Sequence, residues 1–134
     1  MVASSKTKTI PLEDDEAKAF HQYLELKHIP HHHHANEGGY GNQQARIRGI
    51  KAKAMGQSKG FWDYSVFVPV KGITGTVDAY EQVMIEMKRQ KGGVVSPEQR
   101  IWQHIYEKSG IKCKICKGCE EAIRFIEEIK GGIR

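Results

Sequence analysis

Val83-Met84-Ile85-Glu86-Met87-Lys88 can be read in two ways, and the fold turns on the choice. Read as a helix, Tyr80, Val83, Met84 and Met87 fit the i, i+3, i+4, i+7 template. Asp78 then serves as N-cap with Glu81 as its capping-box partner, and Gly92 as the stop. Read as a strand, Val83, Ile85 and Met87 line one face, with Met84, Glu86 and Lys88 on the other. Ile85 fits the strand and spoils the helix, yet the local signals together lean towards helix. The difference matters chemically. Glu86 and Lys88 share a face on a strand and point apart on a helix.

Upstream, Gly60-Phe61-Trp62-Asp63 closes a Gly-rich segment, with 22 residues between Asp63 and Glu86. An Asp, followed by a Glu and a Lys two apart on a strand, can hold a divalent metal and activate water. The plainer alternative is a surface ion pair between Glu86 and Lys88. Residues 64–70, Tyr-Ser-Val-Phe-Val-Pro-Val, are β-branched and aromatic and predict a strand. Pro69 puts the end of that strand at an edge or boundary. Residues 71–76 contain two glycines and form a turn.

Downstream, Ser96-Pro97-Glu98-Gln99 predicts a helix start, with Ser96 as N-cap, Pro97 at N1 and Gln99 closing a capping box. That helix runs through Ile101, Trp102, Ile105 and Tyr106 to Gly110. Ile111, Cys113 and Ile115 alternate with lysines, as in a strand. A last helix follows Gly118 and Cys119 and extends to Ile129.

In the N-terminal part, residues 1–10 are polar and read as an extended or frayed end. Phe20, Tyr23, Leu24 and Lys27 have helical spacing, and acids crowd the first turn, which gives a helix over 12–27. His31-His32-His33-His34 is a run of imidazoles, which suit transition metals. Neighbours on a strand point to opposite faces, so a short strand with His on both faces is favoured over a dedicated metal site. Residues 38–42 form a Gly-rich loop, residues 43–55 a helix, and Gly56 its stop. Cys113, Cys116 and Cys119 make a C-x2-C-x2-C run. Zinc or an iron–sulfur cluster would need a fourth ligand, and a histidine could complete a Cys3His site. Three reduced cysteines need no such role.

The 134 residues suit one domain. No apolar run approaches the length of a membrane span, and the first residues lack a signal-peptide core, so a cytoplasmic protein is expected. Net charge is +5, and the excess is uneven. Arg46, Arg48, Lys51, Lys53 and Lys59 fall in fourteen residues with no acid among them, a pattern suited to a polyanion or to a solvated basic face.

The ordered set of motifs is more specific than any one of them. Asn36-Glu37-Gly38 follows the His tract, and Ala52-x-Ala54-Met55-Gly56 precedes Gly60-Phe61-Trp62-Asp63. Then come Ile85-Glu86-Met87-Lys88, Ser96-Pro97-Glu98-Gln99, a Trp-containing helix, Gly110, a strand and Glu120-Glu121-Ala122-Ile123. Over roughly residues 16–129 this resembles the virus-type replication-repair nuclease (VRR-NUC) family of the PD-(D/E)XK superfamily. Two departures are a Trp62 and an Ala35 where the family often has Pro, and the span from Asp63 to Glu86 is long.

The resemblance implies an α/β, restriction-endonuclease-like core with a mixed central sheet flanked by helices, and it requires 82–88 to be a strand. It implies that Asp63 and Glu86 bind Mg²⁺ or Mn²⁺, with the Met87 carbonyl as a third ligand. Lys88 would orient the attacking water, while Glu16 matches the first-helix glutamate and Gln99 the glutamine after the core motif. For Gln99 the rival role is the capping box, and one side chain is not expected to serve both fully. The implied activity is metal-dependent hydrolysis of DNA at branched or Holliday junctions by a homodimer. The alternatives are a non-catalytic nucleic-acid-binding module using the basic block, and a zinc protein using the cysteines and histidines.

Overall fold

A computed structural model describes residues 9–34, 47, 50, 51 and 53–131. Its elements are α1 (Glu13–Leu26), β1 (His31–His33), β2 (Tyr64–Lys71), β3 (Val77–Lys88), α2 (Pro97–Lys108), β4 (Lys112–Lys117) and α3 (Cys119–Lys130). The strands form one sheet in the order β1-β2-β3-β4. The first three are antiparallel neighbours, and β3 pairs β4 in parallel. A parallel pair needs a crossover connection, and α2 supplies it. Among the described residues, no helix is long and apolar enough to cross a membrane.

The strand reading of 83–88 is the correct one, against the local helical signal. Residues 77–82 of β3 are mostly exposed, whereas all six residues from 83 to 88 are buried. A strand end covered on both faces shows no clean polar alternation, so its period is hard to see in the sequence. Val83, Ile85 and Met87 join Phe20, Leu24, Tyr64, Val66 and Ile126 in the core under α1 and α3. Met84 faces the other way, into a second core of Trp62 and Tyr106 with Trp102 and Phe61 beside them. Glu86 and Lys88 follow Met84 in phase, on the α2 side of the sheet.

Other elements follow their local signals. Ser96 accepts from the Gln99 N–H at 3.1 Å, and Gln99 Oε1 accepts from the Ser96 N–H at 3.0 Å, closing the capping box at the start of α2. The His tract is a strand of three residues at the sheet edge. Of the expected helix over 43–55, Ile47, Ile50, Lys51, Lys53 and Ala54 are helical, and the other residues before 53 lie outside the described set.

The sheet is uneven in width. β1 meets β2 only at Tyr64, Ser65 and Val66, and β4 meets β3 only at residues 83–88. Residues 68–71 and 77–81 therefore continue as a two-stranded arm, with Pro69 opposite Tyr80. The arm carries the long Gly-rich insertion seen in the sequence, and it leads away from the end where Asp63 and Glu86 meet.

Gly60 fixes how the chain enters that end. Its φ is +81°, and a Cβ there would stand 2.5 Å from Glu98 Cβ and 2.8 Å from the Glu98 carbonyl carbon. Only glycine combines that backbone with such a close approach to the first turn of α2. Gly60→Ala is expected to cost about 2–4 kcal/mol, as a sum of left-handed strain and overpacking. Chemical denaturation of the variant checks this.

Candidate active site

Asp63 ends the entry segment and precedes β2, just where β2 and β3 cease to pair. The last paired residues are Tyr64 and Ile85. Beyond them the Asp63 carboxylate replaces the missing strand: Asp63 Oδ2 accepts the Met87 N–H at 3.0 Å. Glu86 Oε1 returns the contact by accepting the Asp63 N–H at 3.2 Å. The Asp63 carbonyl accepts the His34 N–H. Both carboxylates are thus held by main-chain groups at one strand end. Lys88 Nζ lies 3.3 Å from Glu86 Oε2. Asp63, Glu86 and Lys88 are 7%, 1% and 9% exposed, so the surface ion-pair reading of Glu86 and Lys88 does not apply.

Gln99 corrects the expectation that its two roles compete. Its amide oxygen closes the capping box, while Nε2 donates to Glu86 Oε2 at 2.6 Å. A primary amide has an acceptor at one end and donors at the other, so one side chain serves both. The helix start and the carboxylate orientation are therefore a single construction. Trp62, in the position where Pro is often found, strengthens it. The indole is fully buried, and its N–H donates to the Gln99 carbonyl at 3.0 Å. The Trp62 N–H donates to Tyr106 Oη at 3.2 Å. The residue before Asp63 is thereby bolted to α2.

Glu16 is buried but committed elsewhere. Its Oε1 accepts the Cys119 N–H and its Oε2 accepts Gln90 Nε2, both at 2.9 Å. It caps the N-terminus of α3 from α1, where the exposed amides and the helix dipole favour a carboxylate. The helix-1 acid that feels the site is Glu13, one turn earlier. Its carboxyl is pushed up by partial burial and then by the charge of Asp63, with Lys88 opposing. The four acids of the first turn of α1 hid this in the sequence. The usable signal is the three-residue step that puts Glu13 and Glu16 on neighbouring positions of one face.

Burial dominates the electrostatics. It raises the Asp63 carboxyl, with the Met87 N–H and Lys88 opposing. Glu86 is pushed up to about 8, first by burial and then by Asp63, against the pull of Lys88. Two buried acids, both raised and sharing one lysine, have room for more positive charge. Their hard oxygens fit Mg²⁺ or Mn²⁺ rather than a softer ion. In a strand the N–H and C=O of one residue face the same neighbour, so the Met87 carbonyl shares the side of its N–H, which Asp63 holds. The donor set fits the implied metal.

The remaining candidates separate. Lys51 and Lys53 are exposed, and Lys59 lies 3.9 Å from Glu98 at the first turn of α2. Arg46 and Arg48 lie outside the described residues. The cysteine zinc site is not formed. Cys116 packs in the core under α1 and α3, Cys113 borders the opposite core, and Cys119 starts α3. All three are free thiols whose acidity burial weakens, Cys116 to about 12, whereas zinc binds thiolate. Among the described residues, no trio of His, Cys, Asp or Glu donors includes a cysteine.

A solved structure named "VRR_NUC domain protein" is similar to this chain, with a TM-score of 0.63 and 18% identity over 90% of this chain and 88% of that one. The sequence matches no family model and no curated protein. The likeness is one of fold: a mixed four-stranded sheet flanked by helices, as the PD-(D/E)XK reading requires.

Proposed function

We propose that this chain is a divalent-metal-dependent endodeoxyribonuclease that hydrolyses phosphodiester bonds in branched DNA, four-way junctions included, as a homodimer. The observation that carries the proposal is the interlock of Asp63 with the strand end of Glu86 and Met87, and Lys88 on Glu86. The nuclease fold of the similar structure supports it. The junction preference and the two-site assembly rest on the family resemblance. A paired cut across a four-way junction needs two such sites, and a two-fold dimer supplies them.

Asp63, Glu86 and the Met87 carbonyl are the groups that would hold Mg²⁺ or Mn²⁺. When bound, the ion stabilises charge on a phosphoryl oxygen and makes a ligated water more acidic. The chain does the rest. The Lys88 ammonium lies on the Glu86 face, where it can orient the attacking water and offset charge that grows on the phosphoryl group. Gln99 fixes the rotamer of Glu86, and the capping box fixes Gln99. Such preorganisation leaves little to rearrange when the bond breaks. Exposed Lys51 and Lys53 supply phosphate contacts, with Arg46 and Arg48 in the same sequence block.

Lys88→Met tests the assignment, because it keeps the length of the stem and removes the charge. Cleavage of a labelled four-way junction in Mg²⁺ is expected to fall about 10²–10³-fold, with binding retained. Full activity in this variant overturns the role of Lys88. Salt-sensitive binding without cleavage by the wild type under any metal favours the non-catalytic module. Linear duplex cut as fast as junction removes the branched preference. Sedimentation then reads the dimer directly.

A further inference from the structure

We propose that His21, Glu25 and His31 form a second metal site, for a transition-metal dication of the zinc type, separate from the Asp63 and Glu86 centre. One donor atom from each lies within 4.8 Å of the other two. His21 Nδ1 is 2.8 Å from His31 Nε2, and Glu25 Oε2 is 3.9 Å from the same nitrogen. Donors on a tetrahedral zinc stand about 3.3 Å apart when the bonds are about 2.0–2.1 Å. The His21–His31 and Glu25–His31 pairs each lie within about 0.6 Å of that spacing, and the exposed Glu25 side chain can turn to bring its oxygen closer to His21.

Three features build the site. His21 and Glu25 are one turn apart on α1, so they share a face. The turn after α1 brings His31 back to that face. His28 has φ +57°, the His28 N–H donates to the Glu25 carbonyl, and the Ile29 N–H donates to the Leu24 carbonyl. This is a Schellman closure with a histidine where glycine is usual, locked by buried Ile29. Lastly, His31 Nδ1 lies 2.8 Å from the Ile29 carbonyl. A carbonyl only accepts, so Nδ1 carries the proton and the neutral ring offers its Nε2 lone pair to the trio. Metal-binding histidines are oriented in this way by a partner on the other nitrogen.

In the metal-free protein the His21 Nδ1–H donates to that lone pair; a metal at Nδ1 takes the other neutral tautomer of His21, with the proton moved to Nε2, so no net proton is lost. Two imidazoles and one carboxylate select zinc, cobalt or nickel over Mg²⁺, which prefers oxygen donors. His21 and Glu25 are exposed, so a fourth position faces solvent. The bound ion would clamp the end of α1 to β1. The residue that follows β1, His34, holds the Asp63 carbonyl through its N–H.

The test is calorimetric titration of the chelator-stripped full chain with Zn²⁺ in excess Mg²⁺, together with thermal melting. One equivalent is expected to bind, and saturation is expected to raise Tm by about 5–10 °C. His21→Ala and His31→Ala are each expected to weaken binding at least about 100-fold, more than loss of an outer-shell partner does. Glu25→Gln, an exposed change that leaves α1 folded, should lose most of the Tm gain. His32→Ala and Asp63→Asn should keep the site. Co²⁺ should show a spectrum without sulfur charge transfer. Unchanged affinity in the His21 and His31 variants overturns the proposal. So does binding that spreads over several weak equivalents, or that disappears in Asp63→Asn.

Discussion

Asp63→Asn is expected to lower Mg²⁺-dependent cleavage by about 10³-fold or more while raising the stability of the metal-free protein at pH 8. The two effects have one origin. Asp63 and Glu86 are both buried; burial raises the proton affinity of each, and Asp63 raises that of Glu86 further. Without a cation, two acids compete for one lysine. The asparagine carbonyl can still accept the Met87 N–H, so the strand end keeps its closure. What is lost is one anionic oxygen donor and one like charge. The gain is expected to be about 1–3 kcal/mol, since one pKa unit corresponds to about 1.4 kcal/mol. Urea denaturation with chelator present reads the gain, and a junction-cleavage assay reads the loss. A variant that is destabilised at pH 8 would show that Asp63 is a structural carboxylate rather than a poised ligand.

The stability of the metal-free protein is expected to fall as pH rises from 6.5 to 8. Glu86 has its folded pKa raised to about 8 from an ordinary 4.5, because burial and Asp63 disfavour its charge. The folded state therefore still holds, at pH 6.5, a proton that the unfolded chain has already released, and it gives that proton up as the pH approaches 8. Stability drops wherever the folded state binds more protons, and it levels off above the folded pKa. Asp63 and Glu13, also raised, act in the same direction. His33 and His34 act oppositely. Burial lowers both below 6.5, so they remove stability as pH falls through that value, and their opposing effect fades within about one pH unit above it. The increment that Mg²⁺ adds at each pH cancels the histidines and isolates the carboxylates. Mg²⁺ should stabilise the protein more at pH 8 than at pH 6.5, because it competes with the protons for the same oxygens. Melting curves at both values, with Mg²⁺ and with chelator, give the comparison. An increment that is equal at the two values, or larger at 6.5, would separate metal binding from these acids.

Local chemistry in the sequence was enough for the capping box at Ser96 and Gln99, the helix of residues 13–26 and the strand after Asp63. It misled at 83–88. There Tyr80, Val83, Met84 and Met87 fit a helix better than a strand, and only the wider order of motifs pointed the other way. The physical cause is double burial: one face meets α1 and α3, the other meets α2, so polar alternation is replaced by Glu86 and Lys88 held inside. Residue type and spacing mark Asp63, Glu86 and Lys88 only as one reading beside a plain surface ion pair; the wider order of motifs is what singles them out, and Gln99 enters the site through the family resemblance alone. Glu13 was not legible, because a choice among four clustered acids depends on how α1 lies over the sheet. Gln99 shows a different gap. Its double role needs Glu86 to stand within reach of the helix start, a tertiary fact that no spacing along the chain contains. Spacing does not mark His21 and Glu25 for the same reason, since their partner His31 comes back through a tight turn.

The uneven sheet also bears on solubility. A sheet that ends in bare N–H and C=O groups invites another chain to add a strand. Here three borders carry an obstacle. β1 is only three residues long. β4 carries Lys112, Lys114 and Lys117 along the opposite border. On the narrow arm Pro69 withholds a donor. Strand-to-strand stacking is disfavoured at these three borders, so copies of this chain are steered there towards meeting through side-chain surfaces.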